Sequence, residues 1–205
     1  MNFCPESKHR RSIRLKGYDY SKHGAYFVTI CTQNRECLFG KVMNGEIKLN
    51  SMGKRVFEIW NQIPENYSSI LLDESILMPN HLHGILILNP PTAVGAGPRA
   101  CPNLVYPPCP TREGQPQGVA PTYSLSDMVH RFKSFTTAEY RKKFQQNGSP
   151  NYPRRLWLRN YYEHIIRCEE DFYKIRQYIR NNPLNWEIDK ENTKNKKGTC
   201  DKQVP

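Results

Sequence analysis

Two histidines separated by one residue, His81 and His83, open a nearly unbroken run of Ile and Leu ending at Leu88. Side chains on an extended strand alternate with a period of two, so both imidazoles leave one face and Leu82 leaves the other. Two imidazoles side by side can share one metal ion without any loop rearrangement. One histidine on an apolar strand is usually a hydrogen-bonded core residue. Two on the same face would each need a separate buried partner, which favours the ligand reading. A structural Zn²⁺ site is the other metal reading, and it requires a closed coordination shell whose loss unfolds the chain.

The remainder of such a site must come from elsewhere in the chain. Tyr178 and Asn182 lie four residues apart in a segment with helical periodicity, which puts a phenol and an amide on one helix face. Ile175 and Ile179 border that stripe and can seat the helix on a sheet. On the helix alone, Tyr178 reads better as an amphipathic residue at the edge of a core. Tyr173 falls on the opposite side at about 100° per residue.

The elements that would hold these groups are legible from pattern. Tyr26-Phe27-Val28-Thr29-Ile30-Cys31 is β-branched and aromatic and predicts a first strand. Asn44-Gly45, between Lys41-Val42-Met43 and Glu46-Ile47-Lys48-Leu49, predicts a tight hairpin. From Ser51, the spacing of Val56, Ile59, Trp60 and Ile63 predicts a helix that Pro64 ends. Ile70 to Met78 and His81 to Leu88 predict two antiparallel strands around Pro79-Asn80, the second of them central and buried.

Residues 90–121 hold nine of the sixteen prolines and are expected to form a Pro/Gly-rich insertion outside the core. Helical spacing returns at Leu125, Met128, Val129, Phe132 and Phe135, with Arg131 and Lys133 facing outward. Trp157 to Arg167 predicts another strand. A final helix runs from about Cys168 to Asn182, with Glu169, Glu170 and Asp171 offsetting its dipole and Pro183 stopping it. The chain then divides into a basic arm (1–20), one catalytic domain (21–186) and a disordered Lys-rich tail (187–205). The expected fold is α+β, a ferredoxin-like antiparallel sheet with helices packed on one face.

The 205 residues carry 30 Lys and Arg against 19 Asp and Glu, a net charge of +11, which points to a polyanionic partner. No apolar run is long enough to span a bilayer, and the first residues lack a secretory signal, so a cytoplasmic protein with no membrane partner is expected. Seven cysteines without CxxC spacing read as reduced thiols.

In order along the chain, Met78-Pro79-Asn80-His81-Leu82-His83 and Tyr178-Ile179-Arg180-Asn181-Asn182-Pro183 resemble the single-tyrosine HUH transposases of simple insertion sequences. The likeness is strongest to their REP-associated branch. It extends to Arg14-Leu15-Lys16-Gly17-Tyr18-Asp19-Tyr20, Phe132-Lys133-Ser134 and Tyr162-Glu163-His164-Ile165-Ile166-Arg167. The resemblance implies that His81, His83 and Asn182 bind Mg²⁺ or Mn²⁺ and that Tyr178 is the nucleophile. It implies cleavage and rejoining of single-stranded DNA at hairpins of palindromic repeats through a 5′-phosphotyrosine, on the nucleoid of a bacterial-type cell.

Arg10, Arg11, Arg14, Lys16, Arg131, Lys133, Arg154, Arg155 and Arg159 are the cations available for DNA contacts. Whether Tyr178 serves its own subunit or the partner in a homodimer is open at this stage. The competing readings are a replication-type nicking enzyme or relaxase, and a noncatalytic RNA-binding module suggested by Gly24-Ala25-Tyr26-Phe27-Val28.

Overall fold

The structure is a computed structural model that describes residues 14–15, 17–90, 123–146 and 155–192. The strand β1 (Gly24–Cys31) is followed by a hairpin, β2 (Gly40–Met43) and β3 (Glu46–Leu49), and by helices α1 (Ser51–Asn61) and α2 (Ile63–Asn66). Then come β4 (Ile70–Leu77), β5 (His81–Leu88), α3 (Leu125–Gln146), β6 (Tyr162–Ile166) and α4 (Glu169–Asn181). The four-stranded sheet has the order β4-β5-β1-β6, and every neighbouring pair is antiparallel. Setting the hairpin aside, β1, β4, β5 and β6 with helices after the first and third give the expected ferredoxin-like arrangement.

The expected hairpin forms with register Met43↔Glu46, and both turn residues have positive φ, 54° at Asn44 and 75° at Gly45. It stands as a two-stranded sheet of its own. Pro64 does not terminate α1. It occupies the first turn of α2, where its missing N–H costs nothing.

The period-two alternation of β1 and β5 divides the core in two. Tyr26, Val28, Ile30, Leu82 and Leu86 face α1 and α3, whose Val56, Trp60, Leu125, Met128 and Phe132 complete the larger cluster. The expectation of helices on one face holds for these two connecting helices and fails for α4. Phe27, Ile85 and Ile166 point the other way and are covered by Phe172, Ile175 and Ile179 of α4. Each of those three buried side chains stabilises the docking by roughly 1.5–3 kcal/mol. A helix with its own apolar stripe, following the edge strand β6, can reach only the face that α1 and α3 leave uncovered. The exposed-aromatic requirement of the RNA-binding reading is not met in β1, because Tyr26 and Phe27 are both buried.

The chain stays folded beyond the boundary expected at residue 187. A 3₁₀ turn spans Trp186–Ile188, and Asn192 is buried with its amide donating to the Trp186 carbonyl at 2.9 Å. The Pro/Gly-rich segment from 91, most of the basic arm and the tail from 193 lie outside the described residues. Among the described residues no helix is long and apolar enough to cross a membrane.

Gly84 ties the packing to the strand that carries the histidines. A Cβ there would stand 2.4 Å from Cζ2 of Trp60, a ring itself fully buried against Phe132. Gly84→Ala should therefore destabilise the protein by about 1–3 kcal/mol through overpacking. Chemical denaturation would measure this, and an unchanged midpoint would show that Trp60 yields freely.

Candidate functional site

His81 and His83 stand on β5 opposite Cys31 and Thr29 of β1, on the face that α4 covers. Both are buried, and their Nε2 atoms lie 3.0 Å apart. The far nitrogen of each ring is held by the protein. Asn80 donates its amide N–H groups to the carbonyls of Arg35 (3.0 Å) and Glu191 (2.7 Å), so its oxygen must face His81 Nδ1, at 2.8 Å. His81 Nδ1 therefore carries the proton, and Nε2 presents a lone pair to the site. His83 Nδ1 is paired with Thr29 Oγ1 at 2.8 Å.

Neither ring is disposed to ionise. Burial pushes His81 down to about 4, with Arg35 adding to that effect and Asp189 and Asn182 opposing it. Burial, reinforced by His81, holds His83 well below the usual histidine range. Two neutral rings with converging nitrogens are the protonation state in which histidine binds metal.

α4 brings Tyr178 and Asn182 to the pair, so of the residues singled out in the sequence these four converge. The Tyr178 oxygen is 3.4 Å from His83 Nε2 of the same chain. Its ring meets the His83 ring at 5.2 Å and the edge of Phe27 at 6.0 Å, while Phe27 stacks on His83. Burial and the Asp189 carboxylate raise the phenol above its ordinary range, and Asn182 works against them. Asn182 is the C-cap of α4, and its Oδ1 is buried with no hydrogen-bond partner among the described residues. A divalent ion would supply what that oxygen lacks.

Asp189 was not foreseen. It sits in the segment read as disordered, yet its Oδ2 is 3.8 Å from His81 Nε2. Ligand atoms of His81, His83 and Asp189 fall within 4.8 Å of one another, so these three could hold a cation, and the Asn182 side chain lies within hydrogen-bonding reach of His81 and Asp189. Burial raises the Asp189 carboxyl, against the influence of His81, Asn182 and Arg35. The chemistry of the set, two imidazoles with one carboxylate and one amide oxygen, suits a divalent metal ion. A groove of about 980 Å³ opens beside it, lined by Thr29, His83, Tyr162, His164, Tyr178 and Asp189 among others.

Two consecutive acids clamp α4 onto the sheet. The register of β4 shifts between Leu72 and Ser75, and the irregularity offers Asp73 and Glu74 together. Asp73 accepts from Arg176 Nε at 2.7 Å and Nη2 at 2.6 Å, and Glu74 accepts from Arg180 Nε at 3.0 Å and Nη2 at 2.7 Å. These arginines bracket Tyr178. Burial pushes the Asp73 carboxyl up, but bonding to Arg176 and to the Glu74 backbone outweighs it and leaves the group below its ordinary range.

The expected DNA-contacting cations fare differently. Arg10, Arg11, Lys16 and Arg154 lie outside the described residues. Arg155 and Arg159 are exposed. Lys133 is not outward-facing: its ammonium donates to the carbonyls of Leu158, Arg159 and Asn160 and lies over the Tyr161 ring. Burial pushes it down to about 8. It shapes the approach to β6. Arg14 bonds the Tyr161 hydroxyl at 3.0 Å, and Arg131 lies over Tyr67 and Tyr123. His164, which spacing alone gave no role, is bonded to Asp171 at 2.8 Å at the groove wall.

A family model described as IS200-like transposase matches residues 118–182, a span that ends on Asn182 and includes Tyr178. An uncharacterized protein of Haemophilus influenzae is 40% identical over 181 residues, covering 88% of this chain and 92% of its own length. The structure of a REP-associated tyrosine transposase bound to a REP hairpin superposes with a TM-score of 0.51 at 16% identity, covering 84% of this chain and 74% of that one. At that identity the likeness is one of fold.

The clamp makes a separable prediction. Asp73→Arg should loosen α4, costing about 1 kcal/mol or more, and should raise hydrogen exchange at the amides around Tyr178. The double variant Asp73→Arg/Arg176→Asp should restore most of the protection. Equal exchange in all three proteins would show that the ion pairs do not hold the helix.

Proposed function

The chain belongs to the IS200-like transposase family, and on that premise we propose that it cleaves and rejoins single-stranded DNA through Tyr178 beside a divalent cation held by His81 and His83. The observation that carries this reading is the 3.4 Å approach of the Tyr178 oxygen to His83 Nε2, at the mouth of an open groove. Nucleophile and ligands meet where a backbone phosphate can enter.

In the proposed reaction the Tyr178 oxygen attacks the phosphorus and forms a P–O bond while the bond to the 3′ oxygen breaks. The products are a 5′-phosphotyrosine and a free 3′-OH, and attack by a 3′-OH on the phosphotyrosine rejoins a strand. Tyrosine suits a reversible transfer because phenolate leaves more easily than a sugar alkoxide. No nucleotide triphosphate is consumed, since the phosphotyrosine retains the energy of the diester.

The bound cation would polarise a phosphoryl oxygen and offset the charge that develops in the transition state. The chain's own groups do the rest. Asn80 and Thr29 fix the orientation of the two imidazoles, and Asn182 and Asp189 are the oxygen donors within reach. Phe27 sets the tilt of both His83 and Tyr178. The raised phenol is uncharged at neutral pH, so its proton must leave as the P–O bond forms, and the departing 3′ oxygen takes up a proton in exchange through solvent to leave as the 3′-OH. The net charge of +11 favours a polyanionic strand as partner, and the REP hairpin held by the similarly folded transposase makes hairpin repeats the class of substrate to test.

Two outcomes are expected. A hairpin oligonucleotide from the repeats flanking the protein's own coding region, labelled at its 3′ end and incubated with Mg²⁺ or Mn²⁺, should transfer label to protein on denaturing gels. Tyr178→Phe should abolish the adduct while preserving binding. Label on the Tyr178→Phe protein, or cleavage by water with no covalent species, would overturn the mechanism. Calorimetric titration with Mn²⁺ should show binding that His81→Ala and His83→Ala abolish and that Asn80→Ala weakens by roughly 10–100-fold. Undiminished Mn²⁺ affinity in both histidine variants would remove them as ligands.

A further inference from the structure

Beside the imidazole pair the sheet presents an aromatic surface that the proposed chemistry does not use. Thr29 is the cross-strand neighbour of both His83 on β5 and Tyr162 on β6, so His83, Thr29 and Tyr162 form one row across three strands. The next row is Ile85, Phe27 and His164. α4 covers Ile85, Phe27 and Ile166 at the far end of β6, whereas Tyr162, at the beginning of that strand, is 56% exposed. It lines the same groove as His83 and Tyr178.

An exposed tyrosine on an edge strand is ordinarily just surface. This one has a fixed setting. Its strand is registered against β1, the preceding Tyr161 is buried and held by Arg14 and Lys133, and His164 is pinned to Asp171 on the same side of the strand. Two inter-strand spacings separate its row position from that of His83, roughly 10 Å. That is comparable to the distance from a phosphate to the base of its own or the adjoining nucleotide. A flat, accessible ring at that remove from a phosphate-handling site suits a nucleobase, which can stack on it whatever its sequence.

We propose that Tyr162 is a stacking platform for one nucleobase of the bound strand, adjacent to the phosphate that Tyr178 attacks. The assignment rests on the reading of the groove as a single-stranded DNA site. The ring orders the strand on the β6 side of the groove, and the His164–Asp171 pair forms the wall at its far edge.

The test uses the full-length protein with the Tyr178→Phe substitution, so that binding is measured without cleavage, and the hairpin oligonucleotide described above. Tyr162→Ala should lower affinity by roughly 5- to 150-fold, whereas Tyr162→Phe and Tyr162→Trp should retain it. Tyr173→Ala, which removes an exposed ring on the outer side of α4, should change nothing. Single abasic substitutions along the oligonucleotide should reveal one position whose loss weakens binding by the protein that keeps Tyr162 and does not weaken Tyr162→Ala further. Full affinity in Tyr162→Ala, or penalties that simply add at every abasic position, would overturn the platform while leaving the transferase reading intact. Absence of any single-stranded DNA binding by the protein that keeps Tyr162 would overturn both.

Discussion

Two neutral imidazoles face one another with their Nε2 atoms 3.0 Å apart in a buried pocket, and most of the local architecture answers to that contact. Neither ring can readily take a proton, because burial lowers both and each would repel the other once charged. The outer nitrogens must then be held so that the inner ones converge. Asn80 does this for His81, and its amide is itself oriented by carbonyls from two distant parts of the chain. The Pro79-Asn80 turn is therefore more than a way to reverse the strand. It joins β4 to β5, the segment before β2 and the segment after α4 around one side chain.

The same constraint explains why α4 lies where it does. The face of the sheet that carries the histidines also carries Phe27, Ile85 and Ile166, too much apolar surface to leave in water. α4 covers it, and the acids of the β4 irregularity set its height and rotation through Arg176 and Arg180. Tyr178 is left half-exposed at the margin of that contact, close enough to His83 to share its opening. Packing and access to the groove are thus divided along one helix, with Ile175 and Ile179 inward and Tyr178 at the rim.

Features governed by local periodicity were legible in the sequence. His81 and His83 share a face because strands repeat every two residues, and Tyr178 with Asn182 share one because helices repeat about every 3.6. Asn44-Gly45 specified its own turn. What escaped was set by contacts across long stretches of chain. Asp189 lies among Lys and Asn residues without periodicity, and the bonds of Asn80 to the Glu191 carbonyl and of Asn192 to the Trp186 carbonyl fasten that segment near His81. Lys133 looked like a surface cation because its helix phase is outward, yet the loop at 158–160 folds over it. The placement of α4 on the second face depended on which surface α1 and α3 had already taken.

The two halves of the site are separated by 95 positions in the chain, with the imidazoles first and the phenol last. Translation therefore exposes the histidine strand well before α4 exists, and a nascent or prematurely terminated chain that ends before α4 lacks both Tyr178 and Asn182. Such a fragment also leaves Phe27, Ile85 and Ile166 bare, a surface that quality-control proteases and chaperones recognise. The order of elements along the polypeptide thus couples completion of synthesis to the first moment at which His81, His83, Tyr178 and Asn182 can meet in one site.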